Sequence, residues 1–222
     1  MKRLHKMIII ALSITMTTLI TGCGGGGSSD PSTAVNSEST TNTGKDNSSN
    51  ENITDPGTSY DIPPIDASTK QAYLDAINNA RSVPQDCGVH GTKDAVPALT
   101  WNNALYRAAA EHSEDLAESN TFAHDGSGTE SDWTAQVLDL ASGSTMANRI
   151  ENNGYTKWSK IGENIAAGSL RDTAQEAVDA WIESDGHCIN LMNPVYKNVA
   201  MAHVENDNSD YIHYWTQNFG AN

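Results

Sequence analysis

The chain is predicted to be α+β, with helices first and an antiparallel hairpin last. Two observations carry this. Apolar residues recur at three- and four-residue steps through Trp101, Leu105, Ala108, His112 and Leu116, and again through Ala174, Ala177, Val178, Trp181 and Ile182. Beyond Val195 the period drops to two: Tyr211, His213, Trp215, Gln217 and Phe219 alternate with Ile212, Tyr214 and Thr216.

The elements follow in order. Ser68-x-x-Gln71 reads as a capping box opening a first helix, with Tyr73, Ile77 and Ala80 on one face. Residues 84–97, with Cys87 and Gly88, read as a loop. Thr100 is the expected N-cap of the second helix. Residues 120–143 are rich in Gly, Ser, Thr and Asp and are expected to be mostly loop. A short helix over 145–152 stops at Asn153-Gly154. Asp172-x-x-Gln175 opens another helix, which Asp185-Gly186 ends as a turn. Residues 195–205 read as a buried strand, Asn206-Asp207-Asn208-Ser209 as the turn, and the aromatic run after it as the partner strand.

The N-terminal part is not fold. Lys2, Arg3 and Lys6 precede an apolar stretch from Met7 to Ile20, about 14 residues and short of the roughly 20 that span a bilayer. Leu19-Ile20-Thr21-Gly22-Cys23 then has the form of a lipobox. The resemblance to bacterial lipoprotein signals implies removal of residues 1–22, acylation of Cys23, and a membrane partner through its acyl chains. Gly24 after the cysteine, by resemblance to Gram-negative lipoproteins, favours the outer membrane. Residues 23–66 read as a lipidated, disordered tether. They are dominated by Gly, Ser, Thr, Asn and Asp and stiffened at the end by Pro63 and Pro64. The folded domain is expected over 67–222.

The formal net charge is −15, and loss of the leader's three cations makes the mature chain more acidic still. Such a chain repels phosphate backbones, so no nucleic-acid partner is expected. With Cys23 acylated, Cys87 and Cys188 remain. In an oxidising exported compartment two leftover thiols pair; metal ligation and free thiols are the alternatives.

Three strings set His and Glu beside Gly and Asn in loop or element-end contexts: Phe122-Ala123-His124-Asp125-Gly126, Gly162-Glu163-Asn164-Ile165-Ala166, and Ser184-Asp185-Gly186-His187-Cys188-Ile189-Asn190. A fourth is Tyr214-Trp215-Thr216-Gln217-Asn218-Phe219-Gly220. Together with Leu99-Thr100-Trp101-Asn102, Ala109-x-x-His112-Ser113-x-Asp115-Leu116, Arg149 with Gly154-Tyr155, and Met192-Asn193-Pro194, they follow one another in a fixed order. In that order they resemble the CAP superfamily of cysteine-rich secretory, antigen 5 and pathogenesis-related proteins, also called the SCP domain. The bacterial branch is the nearer likeness. The resemblance implies an α-β-α sandwich around a small antiparallel sheet, a central cleft with two His and acidic residues, and a Cys87–Cys188 bridge. His124, His187 and Glu163 match the cleft residues. Ser184 stands where animal members carry a second Glu, and the adjacent Glu183 is rotated about 100° away on a helix.

Chemically, His124, His187 and Glu163 are a set for a divalent metal, Zn or Mg, with a position open for water. Without metal, Glu163 would orient a His as an acid–base pair. His112 lies on the apolar stripe, as a buried core His or as cleft lining; Asn164 and Ser184 complete the expected lining. Asn190 and Asn193 read as cap and turn residues, and His203 and His213 as a surface pair on facing strands. Trp158 is the tryptophan expected to be exposed. Three functions are compatible with this. One is a non-catalytic, envelope-anchored module binding a small lipid, glycan, peptide or envelope protein. The others are a metal-dependent, peptidase-like hydrolase using His124, Glu163 and His187, and a structural envelope protein. There is no Gly-x-Ser-x-Gly nucleophile motif, and the first reading is favoured.

Overall fold

The computed structural model describes residues 62–222. The leader, the lipobox with Cys23, and the tether through residue 61 lie outside them. Among the described residues no helix is long and apolar enough to cross a membrane.

The α+β architecture is built on a four-stranded sheet. Helix α1 (Ala67–Arg81) is followed by a two-residue hairpin, β1 (Gln85–Asp86) and β2 (Thr92–Lys93), around a 3-10 turn at Gly88–His90. Then come β3 (Thr100–Trp101), α2 (Asn103–Glu118), α3 (Trp133–Val137), α4 (Met146–Asn152), β4 (Lys160–Ala167), α5 (Ala174–Ile182), α6 (Asp185–Leu191), β5 (Asn198–Glu205) and β6 (His213–Ala221). The strand order is β3-β5-β6-β4; β6 is central and buried throughout, and β4 is an edge. Pairing is antiparallel except for the short parallel β3–β5 contact.

The pleat sorts side chains onto two faces. Val199, Met201, Trp215 and Phe219 face one layer, where they pack with Ile77 of α1 and Val178 and Trp181 of α5. Ala200 faces the other, against Leu105 and Ala108 of α2 and Ile150 of α4. The sheet is thus sandwiched between α1, α5 and α6 on one side and α2, α3 and α4 on the other. On β4 the same alternation turns Glu163 toward α2 and α4, opposite Asn218, and Asn164 toward α6, opposite Gln217. A side chain added at Gly162 would strike the Tyr196 hydroxyl and approach Asn190 Oδ1 to 2.8 Å, so glycine there lets both close over the strand.

Several local expectations are corrected. The N-cap of α1 is Asp66, whose carboxylate accepts from the Ser68 and Thr69 amides, rather than a Ser68–Gln71 box. Helix α2 is capped by Asn102, because Thr100 and Trp101 are drawn into pairing with Asn198 and Val199. Helix α5 is capped by Thr173, in a reciprocal box with Glu176. Asp185-Gly186 is the first turn of α6, not a loop. Glu163, expected in a loop or at an element end, sits mid-strand in β4. His203 and His213 do pair, Nε2 to Nδ1 at 3.0 Å, yet His213 is buried, and His203 stacks on Trp215 instead of lying on the surface. Trp158 is half-buried, its indole N–H donating to Glu151 Oε1 at 3.0 Å.

Candidate functional site

The cleft opens over the β4 edge, and each wall is fixed by a separate device. The loop carrying His124 is held by two buried carboxylates. Asp115 accepts from the Ser127 amide (2.7 Å) and the Ser131 hydroxyl (2.6 Å), and Asp132 accepts from the Ser144 amide (2.7 Å) and the Gly128 amide (3.1 Å). These carboxylates gather the loop's amides and hydroxyls and so fix its path. The opposite wall is α6, with His187. The Cys87–Cys188 disulfide ties it to the β1–β2 hairpin, with Cα atoms 5.3 Å apart and both sulfurs in an apolar cluster with Met192. Buried Arg81 reinforces this wall, its guanidinium donating to the Leu191, Asn193 and Pro97 carbonyls.

Glu163 is the floor. Arg149 Nη2 donates to its Oε2 at 2.9 Å and its Oε1 at 3.2 Å. His124 Nδ1 lies 3.0 Å from Oε1. The Asn218 amide, oriented with nitrogen toward Oε2 (3.2 Å) and oxygen toward the Ala109 amide (3.1 Å), adds another donor. Burial alone would raise the Glu163 pKa, but the Arg149 charge and the hydrogen bonds from His124 and Arg149 hold it down to about 2. Arg149 also donates to the His124 carbonyl (2.8 Å) and the Ser144 carbonyl (2.8 Å), so one guanidinium pins both the carboxylate and the loop above it.

An ionised carboxylate only accepts, so His124 Nδ1 carries a proton and Nε2 is left facing the cleft. The Glu163 hydrogen bond raises the His124 pKa; burial and the neighbouring His124 lower that of His187. The two rings lie 6.3 Å apart, centroid to centroid. The hollow between them is about 480 Å³ and is lined also by Asn164, Ser184, Asn190, Asn193, Tyr196 and Lys160. A second hollow of about 390 Å³, on the other side of His124, is lined by Asp125, Thr145, Met146 and Ala147.

His124, Glu163 and His187 come together, and Asn164 and Ser184 line the same hollow. Asn164 donates to the His187 carbonyl (3.3 Å) and to Gln217 Oε1 (3.0 Å). Asn190, expected as a cap, instead donates to the Glu163 carbonyl (3.1 Å) and Asn164 Oδ1 (3.0 Å). Glu183 lines a different hollow beside α5, with Arg171 and Asp179, and supplies no fourth acid. His112 is not cleft lining. It is fully buried, its Nε2–H donates to the Ala123 carbonyl (3.1 Å), and its Nδ1 has no hydrogen-bond partner among the described residues. Burial pushes its pKa down to about 4, so its 3.8 Å approach to Glu163 is a contact of a neutral ring.

The three-ligand metal set does not fit this geometry. Both Glu163 oxygens are occupied, and a divalent ion there would sit against the Arg149 cation. Among the described residues no group of three or more His, Cys, Asp or Glu is arranged to hold a metal ion. A carboxylate held near 2 is also a weak base. The residues missed by sequence reasoning are Arg149 in its pairing role, Asn218, Lys160 and Tyr196. The available signal for Arg149 was its place, with Gly154-Tyr155, in the ordered series of family motifs.

The buried histidines set an acid limit. A His held neutral by burial contributes its full stability above the ordinary value of 6.5 and loses it as pH falls toward its folded value. For His112 that window is 6.5 to about 4, and for His203, also lowered to about 4 by burial, it is the same. Glu163 follows between 4.5 and about 2. His124, half exposed and raised, contributes with opposite sign, below 6.5 and fading as pH rises through its elevated value. The expected result in urea unfolding is a loss of about 3 kcal/mol from His112 between pH 7 and pH 4. His112→Gln flattens that part of the profile; a wild-type profile level across this range contradicts the assignment.

The family described as "CAP: Cysteine-rich secretory protein family" matches residues 74–219. The uncharacterized membrane protein YlbC of Bacillus subtilis is 30% identical over 155 residues, 70% of this chain and 35% of that protein. The uncharacterized protein YkwD of the same organism is 28% identical over 127 residues, 57% of this chain and 41% of its own length. The chain thus spans less than half the length of these curated relatives. The solved structure of an outer surface protein from Borrelia burgdorferi shares the fold, with a TM-score of 0.50 and 20% identity, over 71% of this chain and 96% of that one.

Proposed function

The chain belongs to the cysteine-rich secretory protein (CAP) family, and on that premise we propose that it is an envelope-anchored SCP-domain lipoprotein whose cleft binds a small ligand without turning it over. The supporting observation is the Glu163–Arg149 pair. It consumes the one buried carboxylate of the cleft as a strut that aims His124, and leaves imidazole, amide and hydroxyl groups facing the hollow. Such a surface recognises a ligand through hydrogen bonds and contains no activated nucleophile. The lipobox supports anchoring through acylated Cys23, with the tether holding the domain off the membrane. The outer membrane is the favoured site in a Gram-negative envelope. A lipid, glycan or peptide of the envelope, or an envelope protein, is the expected ligand class. A metal-dependent hydrolase is less well supported, because Glu163 is already committed.

The test is equilibrium binding of envelope phospholipids, muropeptides and short peptides to the detergent-solubilised full chain. At least one saturable ligand is expected, bound at least tenfold more weakly by His124→Ala/His187→Ala, as loss of a charge-assisted hydrogen bond requires. No product should accumulate. Hydrolysis of any probe that Glu163→Gln abolishes in a folded protein overturns the reading.

A further inference from the structure

We propose that the cleft holds its ligand by a phosphate group, bound between the Lys160 ammonium and the His124 and His187 imidazoles. The inference rests on the binding-cleft reading and adds the chemical class of the ligand. Three observations carry it.

The first is placement. Lys160, Gly162 and Asn164 alternate onto one side of β4, the side closed by α6 and Tyr196, so the lysine lines the same hollow as the two imidazoles. Its Nζ stands 5.8 Å from the Tyr196 ring centroid, and it forms no ion pair with any described residue. The ring fixes the direction of the stem and leaves the ammonium protons free for a ligand.

The second is local charge. The chain carries −15 overall, yet the only carboxylate lining this hollow is Glu163, which Arg149 neutralises. The hollow is therefore a cationic island in an acidic protein, and an anion entering it meets no uncompensated negative group among its lining residues.

The third is geometry. The one arginine at the site lies beneath the floor, its fork spent on Glu163 and on backbone carbonyls. An arginine fork serves carboxylate and phosphate alike, but polar groups spread over three walls, Lys160 on β4, His124 on its loop and His187 on α6, suit the near-tetrahedral oxygens of a phosphate, charged between −1 and −2, better than the two coplanar oxygens of a carboxylate. A phosphate can be free or part of a lipid headgroup, and the same contacts serve both.

The experiment is an NMR titration of the full chain at pH 6.5, following the His124 and His187 imidazoles and the amides of β4. The probes are inorganic phosphate, glycerol 3-phosphate and glucose. Inorganic phosphate and glycerol 3-phosphate are expected to give saturable shifts at both rings, with affinity at least tenfold weaker in Lys160→Gln, whose free spectrum is otherwise unchanged. Tighter binding of glycerol 3-phosphate marks a lipid headgroup as the source; equal binding marks free phosphate. Phosphate that causes no saturable shift, or binds Lys160→Gln equally well, overturns the proposal. If glucose alone saturates the cleft, the binding reading stands and the phosphate assignment falls. If no probe of this set shifts either ring, the phosphate assignment falls, and the envelope-ligand titration above decides the binding reading separately.

Discussion

Arg149→Met is expected to lower the unfolding free energy by about 3–5 kcal/mol, the cost of stranding a buried charge. The guanidinium is almost fully buried, and its removal leaves the Glu163 carboxylate with His124 and Asn218 as its remaining side-chain donors. The same change frees the His124 and Ser144 carbonyls, so the His124 wall should loosen as well. Glu163→Gln alone is expected to be costly for the converse reason, leaving an uncompensated guanidinium. The double variant Arg149→Met/Glu163→Gln should lose less than the sum of the two, because neither charge is then left alone. Chemical denaturation of the four proteins measures the coupling. Strict additivity would mean that the pair does not act as a unit.

Removal of the disulfide is the second large effect. The bridge spans a sequence separation of 101, which in the chain-entropy model corresponds to about 4.7 kcal/mol. Cys87→Ala/Cys188→Ala is expected to lose roughly 3–5 kcal/mol, since both sulfurs also leave a packed apolar cluster. The consequence reaches the cleft. Cys188 follows His187 on a helix of seven residues, too short to hold itself. Without the bridge, α6 keeps as ties the Arg81 bond to the Leu191 carbonyl, the Asn164 bonds with His187 and Asn190, the Asn190 bonds with Glu163 and Tyr196, and the Val89 amide on Asp185. Hydrogen exchange at α6 should therefore accelerate more than at α2. Equal protection of the two helices, or a stability loss below about 1 kcal/mol, would show that the bridge is peripheral.

What was legible in the sequence, and what was not, divides along physical lines. Helices α2 and α5 announce themselves through apolar stripes that become buried faces, and the β5–β6 hairpin through its turn and its aromatics. Their caps slipped by one or two residues: Thr100 looks like an N-cap until Asn198 recruits it to the sheet, and Asp172 does until Thr173 closes a local box with Glu176. Strand β4 is hidden for a deeper reason. Its two faces carry Glu163 and Asn164, polar groups paired to opposite layers, so neither apolar alternation nor an apolar run marks it. His124, Glu163 and His187 could be named from ordered motifs, yet nothing in their spacing shows that Arg149 neutralises the carboxylate. A buried arginine on a short helix looks like any solvated cation until its partners are seen. The pairing of Cys87 with Cys188 needed only counting and compartment, supported by the family likeness.

On the proposed reading Glu163 is a locked anion that aims His124. The direct measurement is a carbon-13 NMR titration of the Glu163 carboxyl in the full chain, beside the same titration in Arg149→Met. The wild-type carboxyl is predicted to remain ionised down to a pH of about 2 and the variant to titrate well above that. A wild-type carboxyl that takes up its proton at or above the ordinary glutamate value of 4.5 would contradict it.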